Sequence, residues 1–94
     1  MTKYILQTSE LPDRVLYVRQ WHNGLWHVCQ LPVDPRRRHY PNYDYDSGRL
    51  FYCDTLAPSR TAEEMQAKLD KFAKNTRTVG LGRGDKKCRP LRAA

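Results

Sequence analysis

Hydrophobic and polar positions divide the chain into short β-like runs, one helical run and two long polar stretches. The first run, "KYILQT" (3–8), predicts a strand that closes in a turn around Leu11-Pro12-Asp13. Two β-branched and aromatic runs follow, "RVLYVRQW" and "LWHVCQL", on either side of Asn23-Gly24. That dipeptide suits a type I′ hairpin turn, since Asn and Gly tolerate positive φ at both central positions. A two-residue loop then sets the register: Trp21 faces Trp26, Gln20 faces His27 and Val18 faces Cys29. One face holds Val15, Tyr17, Arg19, Trp21, Trp26 and Val28; the other holds Leu16, Val18, Gln20, His22, His27, Cys29 and Leu31. Both faces are partly apolar, so the pattern does not say which covers the core.

Pro32 and Pro35 end the hairpin, and "DPRRRHYPNYDYDSG" (34–48) reads as a long polar connection. Loops of this length in small domains are often functional. "RLFYCDTL" (49–56) predicts another strand, entered from Ser47-Gly48. After Pro58 the period changes. Thr61 followed by Glu64 fits a capping box, and Ala62, Met65, Leu69, Phe72 and Ala73 share one helical face. Glu64–Lys68 and Asp70–Lys74 are favourable pairs four apart, and the helix should fade near Asn75. Beyond it, "TRTVGLGRGDKKCRPLRAA" shows no periodicity and reads as a flexible tail. The expected fold is α+β: residues 1–74 as one domain, an antiparallel meander of three or four strands packed on one carboxy-terminal helix, with 75–94 as a disordered basic tail.

Charge sharpens this division. Of the 94 residues, 17 are Lys or Arg and 10 are Asp or Glu, a net charge of +7. Residues 75–94 contribute +5 of it, and residues 1–74 only +2. The basic character therefore belongs mainly to the tail residues Arg77, Arg83, Lys86, Lys87, Arg89 and Arg92, which suit salt-sensitive contact with phosphates. No apolar run has the length of a membrane span, and "MTKYILQTSE" lacks the basic start and apolar stretch of a signal peptide. Three cysteines without a Cys-x-x-Cys pair argue against a disulfide scaffold, so the expected setting is the cytoplasm.

Four constellations offer chemistry. The first is the basic tail; its three glycines do not make a phosphate loop, because no Gly-Lys-Ser/Thr follows them. The second is the loop, where Arg36, Arg37 and Arg38 adjoin Tyr40, Tyr43 and Tyr45. Forked cations beside flat rings suit base stacking with phosphate contact, and suit a protein interface equally. Asp44 and Asp46 partly cancel that charge. With Trp21 and Trp26, these residues form the expected partner-binding surface. The third is His22, His27, Cys29 and Cys53, which lack the paired spacing of a zinc site, so no metal or other cofactor is expected. The fourth is a nucleophile–base pair such as Cys53/Asp54, which neighbouring strand positions would send to opposite faces. Cys88, in the tail, is expected to be exposed and reactive. No catalytic residues and no enzyme activity are expected.

The aromatic hairpin "YVRQWHNGLWHVCQL", the strand "GRLFYCDTL" and the capped helix "SRTAEEMQAKLDKF" together resemble the build of small accessory proteins of bacteriophages and mobile elements, anti-CRISPR and other host-takeover proteins among them. The resemblance implies a non-catalytic inhibitor or adaptor in a bacterial host, acting by occupying a surface of a host protein or ribonucleoprotein complex. Many anti-CRISPR proteins are acidic, and this chain departs from that pattern. The alternative is a direct DNA- or RNA-binding protein using the basic tail and the Arg/Tyr loop. A third possibility is self-assembly through an open sheet edge.

Overall fold

The computed structural model describes residues 1–9, 11–33, 49–76 and 86–91. The architecture is α+β, as the pattern predicts. Strands β1 (Tyr4–Thr8), β2 (Arg14–Gln20), β3 (Trp26–Pro32) and β4 (Arg49–Leu50) precede helix α1 (Ala62–Asn75), and β5 (Lys86–Pro90) follows it. The sheet has five strands in the order β4-β3-β2-β1-β5, every neighbouring pair antiparallel.

The helix is the element the sequence describes best. Thr61 is extended, and its Oγ1 accepts from the Glu64 amide at 3.2 Å, one half of the predicted capping box. Ala62, Met65, Leu69 and Ala73 are buried, and Phe72 packs beside them edge-on to Phe51. Met65, Leu69, Ala73 and Phe72 meet Leu6, Leu16, Val28 and Cys88 from one face of the sheet, with Leu56 closing the cluster. The charged helix residues find partners other than the predicted pairs. Lys68 Nζ donates to the Ala57 carbonyl at 2.9 Å, and Asp70 accepts from the Tyr4 hydroxyl and from Gln66 Nε2. Helix charge thus fastens α1 to its neighbours in sequence and to β1.

The hairpin departs from the predicted register by one residue. Gln20 lies opposite Trp26, Arg19 opposite His27, and Val18 opposite Val28. A type I′ turn needs positive φ at both central residues, but among the described residues only Gly24 has one, at +82°. The loop is therefore His22–Gly24: the Gly24 amide donates to the Trp21 carbonyl at 2.9 Å, and left-handed Gly24 returns the chain to pair Trp21 with Leu25. Asn23 Oδ1 accepts from the Leu25 amide at 2.9 Å, so Asn stabilises the turn without adopting the mirror-image conformation. One residue of slip turns a whole strand over. Trp21 and Trp26, expected face to face, point to opposite sides of the sheet.

Two further corrections concern the strands after the hairpin. The predicted strand over 49–56 is a sheet strand only at Arg49–Leu50, extended by the Phe51 amide donating to the Val28 carbonyl. Beyond it the edge of β3 is already taken, because Trp26 and Ser59 exchange both backbone hydrogen bonds, at 2.8 and 3.0 Å. The chain turns instead at Asp54–Thr55, where the Leu56 amide reaches the Cys53 carbonyl. The expected disordered tail is also interrupted. Lys86–Pro90 pairs with β1 over five register positions, from Tyr4↔Pro90 to Thr8↔Lys86. Cys88, expected to be exposed, is 2% exposed in the core beside Leu6. Burial lifts its thiol pKa to about 11, so it remains a protonated, unreactive core group at neutral pH.

The β5 edge is also blunted by its own chemistry. The Leu91 amide donates to the Lys3 carbonyl, which fixes the parity of the ladder and turns the amides of residues 86, 88 and 90 outward. Cys88 gives its amide to the Thr76 carbonyl at the helix end, at 2.9 Å, and Pro90 has none to give. Only Lys86 offers an outward donor along this strand, a poor template for the edge pairing that self-assembly would use.

Candidate nucleic-acid interface

The sheet has two unlike faces, and strand alternation assigns every residue to one of them. Leu6, Leu16, Val28 and Cys88 lie under α1. Their neighbours Ile5, Gln7, Val15, Tyr17, Arg19, His27, Cys29, Leu31, Lys87 and Arg89 therefore project to the other side, where among the described residues no helix or second sheet packs. Side-chain contacts agree. Lys3 Nζ sits 5.8 Å from the Tyr17 ring centroid, and the Trp21 ring lies 6.4 Å from His27, edge to face, and 5.6 Å from His22. Cys29 is fully buried at the centre of this face. Burial raises its thiol pKa, and the nearby Arg19 cation pulls it back in part.

Charge separates the sheet from the rest of the fold. The five strands contain six cations, Arg14, Arg19, Arg49, Lys86, Lys87 and Arg89, and no Asp or Glu. Helix α1, by contrast, balances Glu63, Glu64 and Asp70 against Lys68, Lys71 and Lys74. Lys3, Arg19, Lys87 and Arg89 belong to the helix-free face, and Lys3, Lys87 and Arg89 are exposed there. The carboxylate of Asp13 reaches this face at one end, where it accepts from Gln7 Nε2 at 3.1 Å. The opposite end carries the rings of Trp21, His22 and His27.

One cation on the helix side is engaged differently. Arg14 is half-buried, donating to Gln30 Oε1 at 2.9 Å and lying 5.7 Å from the Phe51 ring centroid. Burial lowers its guanidinium pKa, and the ring face offsets part of the lost hydration. It serves the packing of β2 on β3 and belongs to no open surface.

Of the residues singled out from sequence, Trp21 lies on the helix-free face, while Trp26 packs against the helix-side core. Lys87 and Arg89 join Trp21 on the helix-free face as ordered strand residues, and Lys86 points to the helix side of the same edge. Arg36, Arg37, Arg38, Tyr40, Tyr43 and Tyr45 lie outside the described residues, as do Arg77, Arg83 and Arg92. The His/Cys set is divided by the sheet. His27 and Cys29 share the helix-free face, whereas Cys53 packs on the helix-side cluster with its Sγ 3.1 Å from Thr55 Oγ1. Among the described residues no group of three or more His, Cys, Asp or Glu is placed to hold a metal ion.

Sequence reasoning placed Tyr17 and Arg19 on one hairpin face with Trp21 but missed Lys3 as part of that surface and left Tyr17 and Arg19 out of the binding set. The available signal was the absence of carboxylates from the hairpin strands, which net charge by segment averages away. No described helix is long and apolar enough to cross a membrane. Comparison with known proteins finds no matching family model, no similar curated protein and no similar solved structure.

Proposed function

We propose that this chain is a non-enzymatic binding protein that engages nucleic acid, free or within a ribonucleoprotein, through the helix-free face of its sheet. The observation that carries this reading is the charge of the strands: six cations and no carboxylate, of which Arg19, Lys87 and Arg89 stand on the helix-free face together with Lys3. A polyanion gains from such a surface by releasing counterions, and a face whose one described carboxylate is Asp13, at its end, imposes little repulsion on it. An inhibitor or adaptor role, which the sequence resemblance implies, would use the same face on the exposed strand of a host complex.

The test is a salt titration of oligonucleotide binding, read by fluorescence anisotropy, for wild type and a Lys87→Ala/Arg89→Ala double variant. Both side chains are exposed, so the fold survives their removal. Wild-type affinity should fall steeply between about 50 and 200 mM salt, and two lost phosphate contacts should make the log–log slope shallower by about 1.4 on single strands. An unchanged slope would remove this face from the mechanism. No binding even at low salt would end the reading.

A further inference from the structure

Resting on that reading, we infer that the helix-free face is built for single-stranded nucleic acid, with bases stacked at the hairpin end on Trp21 and His27 and the backbone tracked toward Lys87 and Arg89. Two observations carry the inference. The first is shape. Five strands at the usual spacing make a surface about 19 Å across, wider than the ~12 Å major groove into which a two-stranded ribbon fits. A duplex can touch such a face only along its phosphates, whereas a single strand can lie flat on it.

The second is the separation of rings from cations. Trp21 and His27 meet edge to face with centroids 6.4 Å apart, and His22 lies 5.6 Å from Trp21. Trp21 and His27 are half-buried, so each ring is held by its neighbours while part of it remains in solvent. Held rings cost little entropy to stack upon, and every base has a π-face to offer them. Lys87 and Arg89 stand two strands from Trp21 and three from His27, about 10 and 14 Å across the sheet at the usual spacing, and are further separated along the strands. Rings at one end and cations at the other match a ligand whose bases and phosphates are separable, which an unpaired strand is and a duplex is not. A free phosphate or an acidic peptide would use the cations and leave the rings idle.

The experiment compares a labelled single-stranded oligonucleotide, as DNA and as RNA, with the blunt duplex of the same length and with polyglutamate. The single strand, in one or both chemistries, should bind at least about tenfold more tightly than the duplex or the polypeptide. Trp21→Ala should weaken it by about 5- to 150-fold, the range for one stacked base, with the salt slope unchanged. A Trp26→Phe chain leaves Trp21 as its sole tryptophan, and its emission should be quenched on binding. That measurement stands even if Trp21→Ala disturbs the hairpin. Equal affinity for single strand and duplex, or an unquenched Trp21, would overturn the stacking inference and leave the proposed function intact. Equal binding of polyglutamate, or no binding of any nucleic acid, would overturn both.

Discussion

Replacing Cys88 by Ser tests whether β5 is part of the fold or loose chain that happens to carry charge. The thiol is 2% exposed, in a cluster with Leu6, Ala73 and the other core residues, and it faces Leu6 across the β1–β5 ladder. Serine has nearly the same shape but brings a hydroxyl that must be desolvated among apolar side chains, at a cost of about 1–3 kcal/mol. A domain of this size has a total stability of only about 5–14 kcal/mol. At about 4–8 °C per kcal/mol, a loss near 2 kcal/mol lowers the melting temperature by about 8–16 °C. The assay is thermal unfolding by circular dichroism in reductant, with Cys88→Val as the apolar control, expected within about 1.5 kcal/mol of wild type. A Cys88→Ser protein melting with wild type would refute the docking of β5. The same logic makes truncation after Thr76 a poor probe of charge. It would strip β1 of one of its two partner strands and uncover Leu6, and so confuse lost affinity with lost structure.

Other predictions follow from single groups. Burial raises the Cys88 thiol pKa to about 11 and raises that of Cys29 as well, from an ordinary value of 9.0. Well below pH 9 both thiols are protonated whether the chain is folded or not. As pH climbs from 9 toward 11 the unfolded chain ionises first, so stability should fall across that window, and less so in Cys88→Val. Urea midpoints at pH 8 and pH 10 measure the difference. At the turn, Gly24→Ala should cost about 1 kcal/mol or more, although nothing lies within 4 Å of an added Cβ, because the penalty belongs to φ +82°. Gly24→Asn should recover much of that loss in the same melts, since Asn tolerates the left-handed region.

Local signals were legible in the sequence wherever one residue or one period decides the outcome. Thr61 starts the helix and Met65, Leu69 and Ala73 bury it, because a cap and a helical stripe act within a few turns. The hairpin was legible in place but not in register. Asn-Gly serves both a two-residue loop with two mirror-image residues and a three-residue loop closed by one left-handed glycine. The three-residue loop puts Leu16 and Val18 of β2 under α1 with Val28, where the two-residue loop would have put Tyr17 and Arg19, so the choice rests on core packing remote from the turn. β5 was the least legible element. "KKCRP" buries one side chain, so it has no alternation to read, and its position is set by the edge of β1 and the carbonyl of Thr76. The candidate face depends on both elements, since the hairpin register carries Trp21 and His27 to it and β5 carries Lys87 and Arg89.

Lysine and arginine on an edge strand have an ordinary explanation, defence against pairing with another sheet, and that explanation competes directly with binding. Geometry separates the two. Outward amides invite pairing, and on β5 they are already spent: Cys88 donates to Thr76 and Pro90 has no donor. Defence therefore requires little more than Lys86. Lys87 and Arg89 occupy the alternate positions, whose amides turn inward to β1 and whose side chains stand over the helix-free face, on the same side as Lys3 and Trp21. Side chains that guard an edge need only crowd the line of the ladder, on either face. A pair that shares one face with Trp21 and His27, two and three strands away, instead extends a surface, and the absence of Asp and Glu from every strand leaves that surface mostly cationic, with Asp13 at its end, where a purely protective edge would tolerate either charge.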